Sequence, residues 1–286
     1  MEKVSLNVNG QIQDASLPIF YINNRAFRYG DGVFETMRFH KGKVLFSDMH
    51  FNRLVAGMDM LRLDYDAHLT EEWMCEEVLK LSRSARIFKS GRIRFSVYRA
   101  GEGLYTPLTN KFSFVVELEK LPVENFSLNE KGYLVDLFSG VILPRNALSR
   151  LKTINALPYV LAAISKKESE LDENFLLNDE GGLVEGTSTN IFLVKNNRVF
   201  TPGLMEGCTE GVMRQVVIDL LRENDIQITE LPIPPLSLLD ADEVFLTNAV
   251  QGIRWVGGYK QKRYYNQLAK KIIKMLNVKV ALYEVR

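Results

Sequence analysis

Apolar and polar residues alternate most cleanly over residues 92–99, with Ile93, Phe95 and Val97 on one side and Arg92, Arg94, Ser96 and Tyr98 on the other. A period of two predicts a strand with one buried face. Earlier in the chain the period lengthens. Phe51, Leu54, Val55, Met58 and Leu61 recur at helical spacing behind Ser47, which has the chemistry of an N-cap. Residues 70–84 repeat the pattern, with Trp73, Met74, Val78 and Leu81 facing inward. Strands are expected over 33–39, 44–46 and 111–118, and a hairpin over 6–12, where Asn9-Gly10 suits the positive φ of a tight turn.

The second half predicts strands over 133–142, 173–177, 199–201, 226–231 and 243–247, and helices over 157–169, 212–221 and 264–276. Residues 248–252 read as a loop, and the basic cluster over 260–263 as a solvated face. The linker candidate is Lys120-Leu121-Pro122-Val123-Glu124-Asn125. It divides the chain into a smaller α/β domain over 1–120, a linker over 121–125 and a larger α/β domain over 126–286. The fold class expected is α/β (α+β) in two domains.

Composition narrows the partners. A net charge of +1 gives no reason to expect nucleic acid or an anionic membrane. The first seven residues lack the apolar core of a signal peptide, and no apolar run is long enough to span a bilayer. Cys75 and Cys208 have no paired-ligand spacing and suit a reducing compartment, and His40, His50 and His68 are too scattered for a zinc site. The expectation is a cytoplasmic globular protein without a metal.

Candidate chemistry centres on Ser149-Arg150-Leu151-Lys152-Thr153-Ile154-Asn155-Ala156-Leu157, which follows an apolar approach and precedes a helical run. A lysine held against apolar surroundings loses hydration and becomes a usable amine nucleophile, although a lone lysine is more often a solvated charge. Glu185 opens a small, hydroxyl-rich loop between apolar strands, where a carboxylate needs a partner. Gly211 precedes a helix whose free amides, Val212 and Met213 among them, suit an anion. Arg53, three residues after His50 and beside the apolar stripe, is placed to reach an anion, and Arg99, at a strand end beside a glycine loop, to clamp a carboxylate. A lysine, an acid and a phosphate cradle are the parts a pyridoxal phosphate enzyme needs.

The chain also resembles the fold-type IV pyridoxal phosphate enzymes, which comprise branched-chain aminotransferases, D-amino acid aminotransferases and 4-amino-4-deoxychorismate lyases. The resemblance runs from Val8-Asn9-Gly10 to about Val256 and rests on motifs in order: Tyr29-Gly30-Asp31-Gly32-Val33-Phe34-Glu35, His50-Phe51-Asn52-Arg53-Leu54, Lys152 with Asn155, Glu185-Gly186 with Asn190 and Phe192, Thr201-Pro202, residues 211–214, and Ala241-Asp242-Glu243-Val244-Phe245. It implies two α/β domains with pyridoxal 5'-phosphate between them, a homodimer, and a small amino-acid-like substrate. It implies Lys152 as the Schiff-base lysine and proton shuttle, and Glu185 on the pyridine nitrogen. Arg53, Gly211, Val212, Met213, Ser188, Asn248 and Ala249 would complete the cofactor site, with Arg99, Tyr29 and Asn248 toward substrate.

Within the family, Lys152-Thr153-Ile154-Asn155-Ala156-Leu157 resembles the K-x-[LI]-N-x-L pattern of the D-amino acid and lyase branches. Gly211-Val212-Met213-Arg214 and Thr247-Asn248-Ala249 resemble the lyases, which lack the hydroxyls that aminotransferases place on the phosphate. Arg99-Ala100-Gly101-Glu102-Gly103 departs from the lyases by lacking a second arginine, and from D-amino acid aminotransferases by lacking a histidine. The loop of residues 185–190 looks more like the D-amino acid aminotransferases. The resemblance therefore implies a lyase that converts aminodeoxychorismate to 4-aminobenzoate and pyruvate through a Lys152 Schiff base and a quinonoid. The alternatives are a class IV aminotransferase and a non-catalytic binding protein on the same fold, the last of which predicts loss of the lysine or the acid.

Overall fold

The computed structural model describes residues 5–285. Residues 1–4, part of the opening stretch expected to lack a signal peptide's core, lie outside the described residues. The chain is mixed α/β and divides into two compact units, Met1–Glu124 with Leu151–Asn155, and Asn125–Arg150 with Ala156–Arg286.

The first unit contains β1 (Ser5–Val8), β2 (Gln11–Asp14), α1 (Arg25–Tyr29), β3 (Gly32–His40), β4 (Lys43–Val44), α2 (Ser47–Met60), α3 (Glu71–Ala85), β5 (Ser90–Arg99) and β6 (Phe112–Lys120). Among the described residues its strands form one antiparallel sheet in the order β2-β1-β6-β5-β3-β4. The hairpin turns on Asn9 and Gly10, both at positive φ. Met37, Phe39, Ile93, Phe95, Val97, Val116 and Leu118 form one sheet face, and Leu54, Met58, Met74, Val78 and Leu81 pack on it from α2 and α3. Thr70 caps α3 by accepting from Trp73 N. The start of α2 differs from expectation. Phe46, in the left-handed conformation at φ 55°, is the cap, and Ser47 is already helical. The Ser47 hydroxyl instead donates to Glu71 Oε1 at 2.5 Å, so it ties α2 to α3.

The second unit contains β7 (Tyr133–Leu143), α4 (Leu157–Glu168), β8 (Glu173–Asn178), β9 (Leu183–Gly186), β10 (Asn190–Lys195), β11 (Arg198–Thr201), α5 (Val212–Glu223), β12 (Ile228–Glu230), α6 (Ser237–Asp240), β13 (Glu243–Asn248), β14 (Gly252–Tyr259), β15 (Lys262–Arg263) and α7 (Gln267–Val285). Its sheet runs β12-β11-β10-β13-β14-β7-β8-β9, with β15 paired to β14. Both faces of β10 and β13 are covered, so their apolar runs are continuous. Phe192 and Phe245 stack at 4.9 Å between centroids.

Strand β14 was not expected from the sequence. Its glycines interrupt the apolar pattern because the chain passes close by: a Cβ on Gly132 would fall 2.4 Å from Gly257 Cα. No described helix is long and apolar enough to cross a membrane, and no described cluster of His, Cys, Asp or Glu could hold a metal.

Candidate active site

In the first unit, residues 151–155 lie along the start of β3. Phe34 N donates to Lys152 O at 2.8 Å, Ile154 N donates to Gly32 O at 3.0 Å, and Val33 bridges Thr153 in antiparallel sense. This pairing fixes the lysine backbone although the segment has no regular structure of its own. Lys152 is half-buried, with Nζ 4.7 Å from the centroid of the Phe34 ring. The Arg94 guanidinium lies 3.7 Å from the same centroid. The electron-rich face of a ring attracts cations and replaces some of their lost hydration.

Below this lysine segment, β3 and α2 bring three polar groups together. Arg53 grips Glu35 with two bonds, Nε to Oε1 at 2.8 Å and Nη2 to Oε2 at 2.6 Å. His50 Nδ1 is 2.7 Å from Glu35 Oε2. Burial alone would push the Glu35 carboxyl up, but the Arg53 charge and the bonds from His50 and Arg53 hold it down at about 2. Burial pushes His50 down against the pull of Glu35. A neutral His50 beside an ionised carboxylate carries its proton on Nδ1. Its Nε2 is then an acceptor, buried and without a partner among the described residues.

Arg99, expected to clamp a substrate carboxylate, is used internally. Its guanidinium donates to Asp31 Oδ2 at 2.9 Å, Asn110 Oδ1 at 2.8 Å and Leu61 O at 2.5 Å, and the residue is 7% exposed. Asp31 also accepts from Arg25 Nε at 2.7 Å, and Arg25 in turn holds the carbonyl of Leu104 at 2.5 Å. This network shapes the loop of residues 100–111 instead of presenting a free guanidinium. Arg94, which the alternation assigned to the polar face with Arg92, is the guanidinium beside the lysine's aromatic neighbour. Tyr29 ends α1, half-buried, with its ring 5.5 Å from that of Tyr105.

In the second unit, Glu185 on β9 is 3% exposed and is ringed by donors. Oε1 accepts from Tyr159 OH at 2.6 Å and Thr209 Oγ1 at 3.0 Å, and Oε2 accepts from Thr209 N at 3.0 Å and Asn190 Nδ2 at 3.2 Å. Such a ring favours the ionised, acceptor-only carboxylate. Beneath it, Glu173 pins the connecting turn through Thr187 Oγ1 at 2.5 Å and Thr189 Oγ1 at 3.0 Å. Ser188 is exposed at the tip of that turn.

Asn190 joins the acid to the start of α5. Its Nδ2 also donates to Thr209 O at 3.0 Å, and Thr209 O accepts from Gly211 N at 2.8 Å. A Cβ on Gly211 would sit 1.9 Å from Asn190 Oδ1, so only glycine fits at this cap. No side chain caps α5, and Val212 and Met213 are buried at its first turn. Asn248 Oδ1 accepts from Val250 N at 3.1 Å and Gln251 N at 2.7 Å, so it closes its own turn, with Ala249 half-buried inside it. The Thr247 hydroxyl, on the residue paired with Asn190, is buried without a partner among the described residues.

Each unit carries groups suited to pyridoxal phosphate. The glycine-capped start of α5, with no side-chain cap, offers free amides of the kind a phosphate needs, and a Cβ at 211 has no room there. Glu185 suits a protonated ring nitrogen and Lys152 suits an aldehyde. Tyr159 and Thr209 were missed in the sequence, because a tyrosine on a helix facing the core reads as packing and a threonine in a loop reads as a turn.

Residues 32–258 match the family described as amino-transferase class IV. A Methanocaldococcus jannaschii protein provisionally named a branched-chain-amino-acid aminotransferase is 34% identical over 257 residues, covering 87% of this chain and 86% of its own length. Vibrio harveyi aminodeoxychorismate lyase is 29% identical over 245 residues, covering 83% of this chain and 86% of its own. The crystal structure of the branched-chain aminotransferase from Thermoproteus uzoniensis with norvaline shares the fold, with a TM-score of 0.84 at 23% identity, covering 96% of this chain and 93% of that one. The chain belongs to the class IV amino-transferase family, whose members are pyridoxal-phosphate enzymes.

Proposed function

We propose that this protein is a pyridoxal-phosphate-dependent lyase that converts 4-amino-4-deoxychorismate to 4-aminobenzoate and pyruvate. The observation that carries the reading is the furnishing of the phosphate-side loops. Asn248 is committed to its own turn and Met213 is buried, so the hydroxyls expected of an aminotransferase at these positions are replaced as in the lyase pattern. The 29% identity to the Vibrio harveyi lyase supports it.

When bound, the cofactor supplies an electron-accepting ring that stabilises negative charge at the substrate's α-carbon. Lys152 Nζ holds the cofactor covalently before substrate arrives and, once released, takes the proton from that carbon. Glu185 holds a proton on the ring nitrogen. The amides of Val212 and Met213 and the Arg53 guanidinium bind the phosphate. Arg94, which lies on the Phe34 ring with Nε 3.6 Å from Glu117 Oε2, would exchange that looser pairing for a substrate carboxylate, whereas Arg99 is hydrogen-bonded internally. We further read the enzyme as a cytoplasmic homodimer, since neither cysteine is paired and α4 exposes Leu157, Val160, Leu161 and Ile164 along one face.

Amino transfer is the second reading, favoured by the 34% identity to the Methanocaldococcus jannaschii protein. It shares the lysine and the acid and differs in the carbon to which the proton returns. A paired assay separates the two. Cofactor-loaded protein receives aminodeoxychorismate in one arm and D-alanine, L-leucine or L-glutamate with 2-oxo acids in the other. Pyruvate and 4-aminobenzoate in equal amounts with poor amino transfer support the lyase. Brisk amino transfer without 4-aminobenzoate overturns it. Lys152→Ala should abolish turnover in whichever arm is active, and full turnover by that variant would refute both catalytic readings.

A further inference from the structure

Tyr159 enters from α4, one residue after Pro158 in the helix's first turn. Its ring packs with Leu143, Leu176, Val184 and Cys208, and its hydroxyl reaches Glu185 Oε1 at 2.6 Å. A ring fixed at its backbone by a helix and along its length by an apolar pocket leaves the hydroxyl little choice of direction. Burial, followed by the neighbouring Glu185 charge, pushes Tyr159 ionisation well above its ordinary range. The phenol therefore keeps its proton and acts toward Glu185 as a donor.

Tyr159 OH and Thr209 Oγ1 donate to Oε1 of Glu185, and Thr209 N and Asn190 Nδ2 donate to Oε2. Thr209 and Asn190 also fix the turn before α5, so they are bound to the local backbone. Tyr159 alone among these donors comes from outside the β9–β10 and Thr209 region. It withdraws negative charge from the carboxylate and also meets the side chain of Thr209.

We propose that Tyr159 is a positioning residue for the reaction: through Glu185 it sets the orientation of the acid and the strength with which it holds a proton on the cofactor's ring nitrogen. This rests on the proposed role of Glu185. Relieved of the phenol, Glu185 would draw harder on the ring N–H, the ring would become richer in electrons, and the nitrogen of Lys152 bound to the cofactor would become more basic.

The test compares wild type, Tyr159→Phe, Glu185→Gln and the double variant, each loaded with pyridoxal phosphate. Tyr159→Phe keeps the packed ring, so the melting temperature of the cofactor-free protein should change by less than about 4 °C. Its visible absorption band should change with a pH midpoint higher by about half a unit to one unit. Cofactor dissociation, followed by fluorescence titration, should weaken about three- to tenfold. Glu185→Gln should disturb both readouts more strongly, and the double variant should be no worse than Glu185→Gln, because the two groups act as one unit. An unchanged pH midpoint in Tyr159→Phe, with Glu185→Gln disturbed, overturns this proposal and leaves the role of Glu185 standing. So does a loss of melting temperature and affinity without a shift in midpoint, which would reduce Tyr159 to packing. Normal affinity and midpoint in Glu185→Gln overturn the role of Glu185 and this proposal with it.

Discussion

Glu35 is buried to 1% exposure, where an isolated carboxyl would favour its neutral form, yet Arg53 and His50 hold it at about 2. The folded value lies below the ordinary 4.5, so between the two the unfolded chain binds the extra proton. The stabilisation is therefore complete above pH 4.5 and is lost as pH falls toward 2; it is on the order of 3 kcal/mol. His50 works in the same direction. Held below its ordinary 6.5, it stays neutral while the unfolded chain charges, so its contribution begins to fall as pH drops through 6.5. Urea unfolding between pH 7 and pH 3 should show falling stability in wild type. Glu35→Gln should be less stable at pH 7, with Arg53 left without its counter-charge, and should have a flatter profile below pH 4.5. Parallel profiles for the two proteins would count against this account of the buried trio.

The start of α5 depends on one atom that is not there. With Asn190 held by both Glu185 and Thr209, its side chain cannot retreat from a Cβ placed 1.9 Å from Oδ1. Gly211→Ala should therefore cost about 1–3 kcal/mol of stability. It should also weaken cofactor binding at least tenfold, because the turn carrying Thr209 and the amides of α5 must move. Thermal melting together with a pyridoxal phosphate titration checks this, and unaltered affinity in the alanine variant would show that the cradle lies elsewhere. At the same scale, the period of two was enough to anticipate β5 and the helical period to anticipate α2 and α3. The left-handed cap at Phe46 was not legible, since a buried phenylalanine there violates local preference.

For the whole molecule, the apolar face of α4 is the feature that composition does not explain. Leu157, Val160, Leu161 and Ile164 are 46–67% exposed at helical spacing. If they meet a second copy, sedimentation velocity should give a dimer for wild type and a monomer for Leu161→Glu combined with Ile164→Glu. A wild-type monomer at working concentration would reject the dimer. Hydrophobic periodicity, turn chemistry and the order of motifs, which the sequence carries in neighbouring residues, were sufficient for the α/β class and the family, and they single out Lys152 and Glu185 for test. Those signals are local, so they survive without knowledge of the fold. That Arg99 is held internally was decided by Asp31, Asn110 and Leu61, groups that lie 11 to 68 positions away along the chain. The same holds for β14, whose glycines make sense only against Gly132, and for the phenol of Tyr159, which meets Glu185 across 26 positions. A buried polar group takes whichever partner long-range packing delivers, and that choice belongs to the tertiary structure alone.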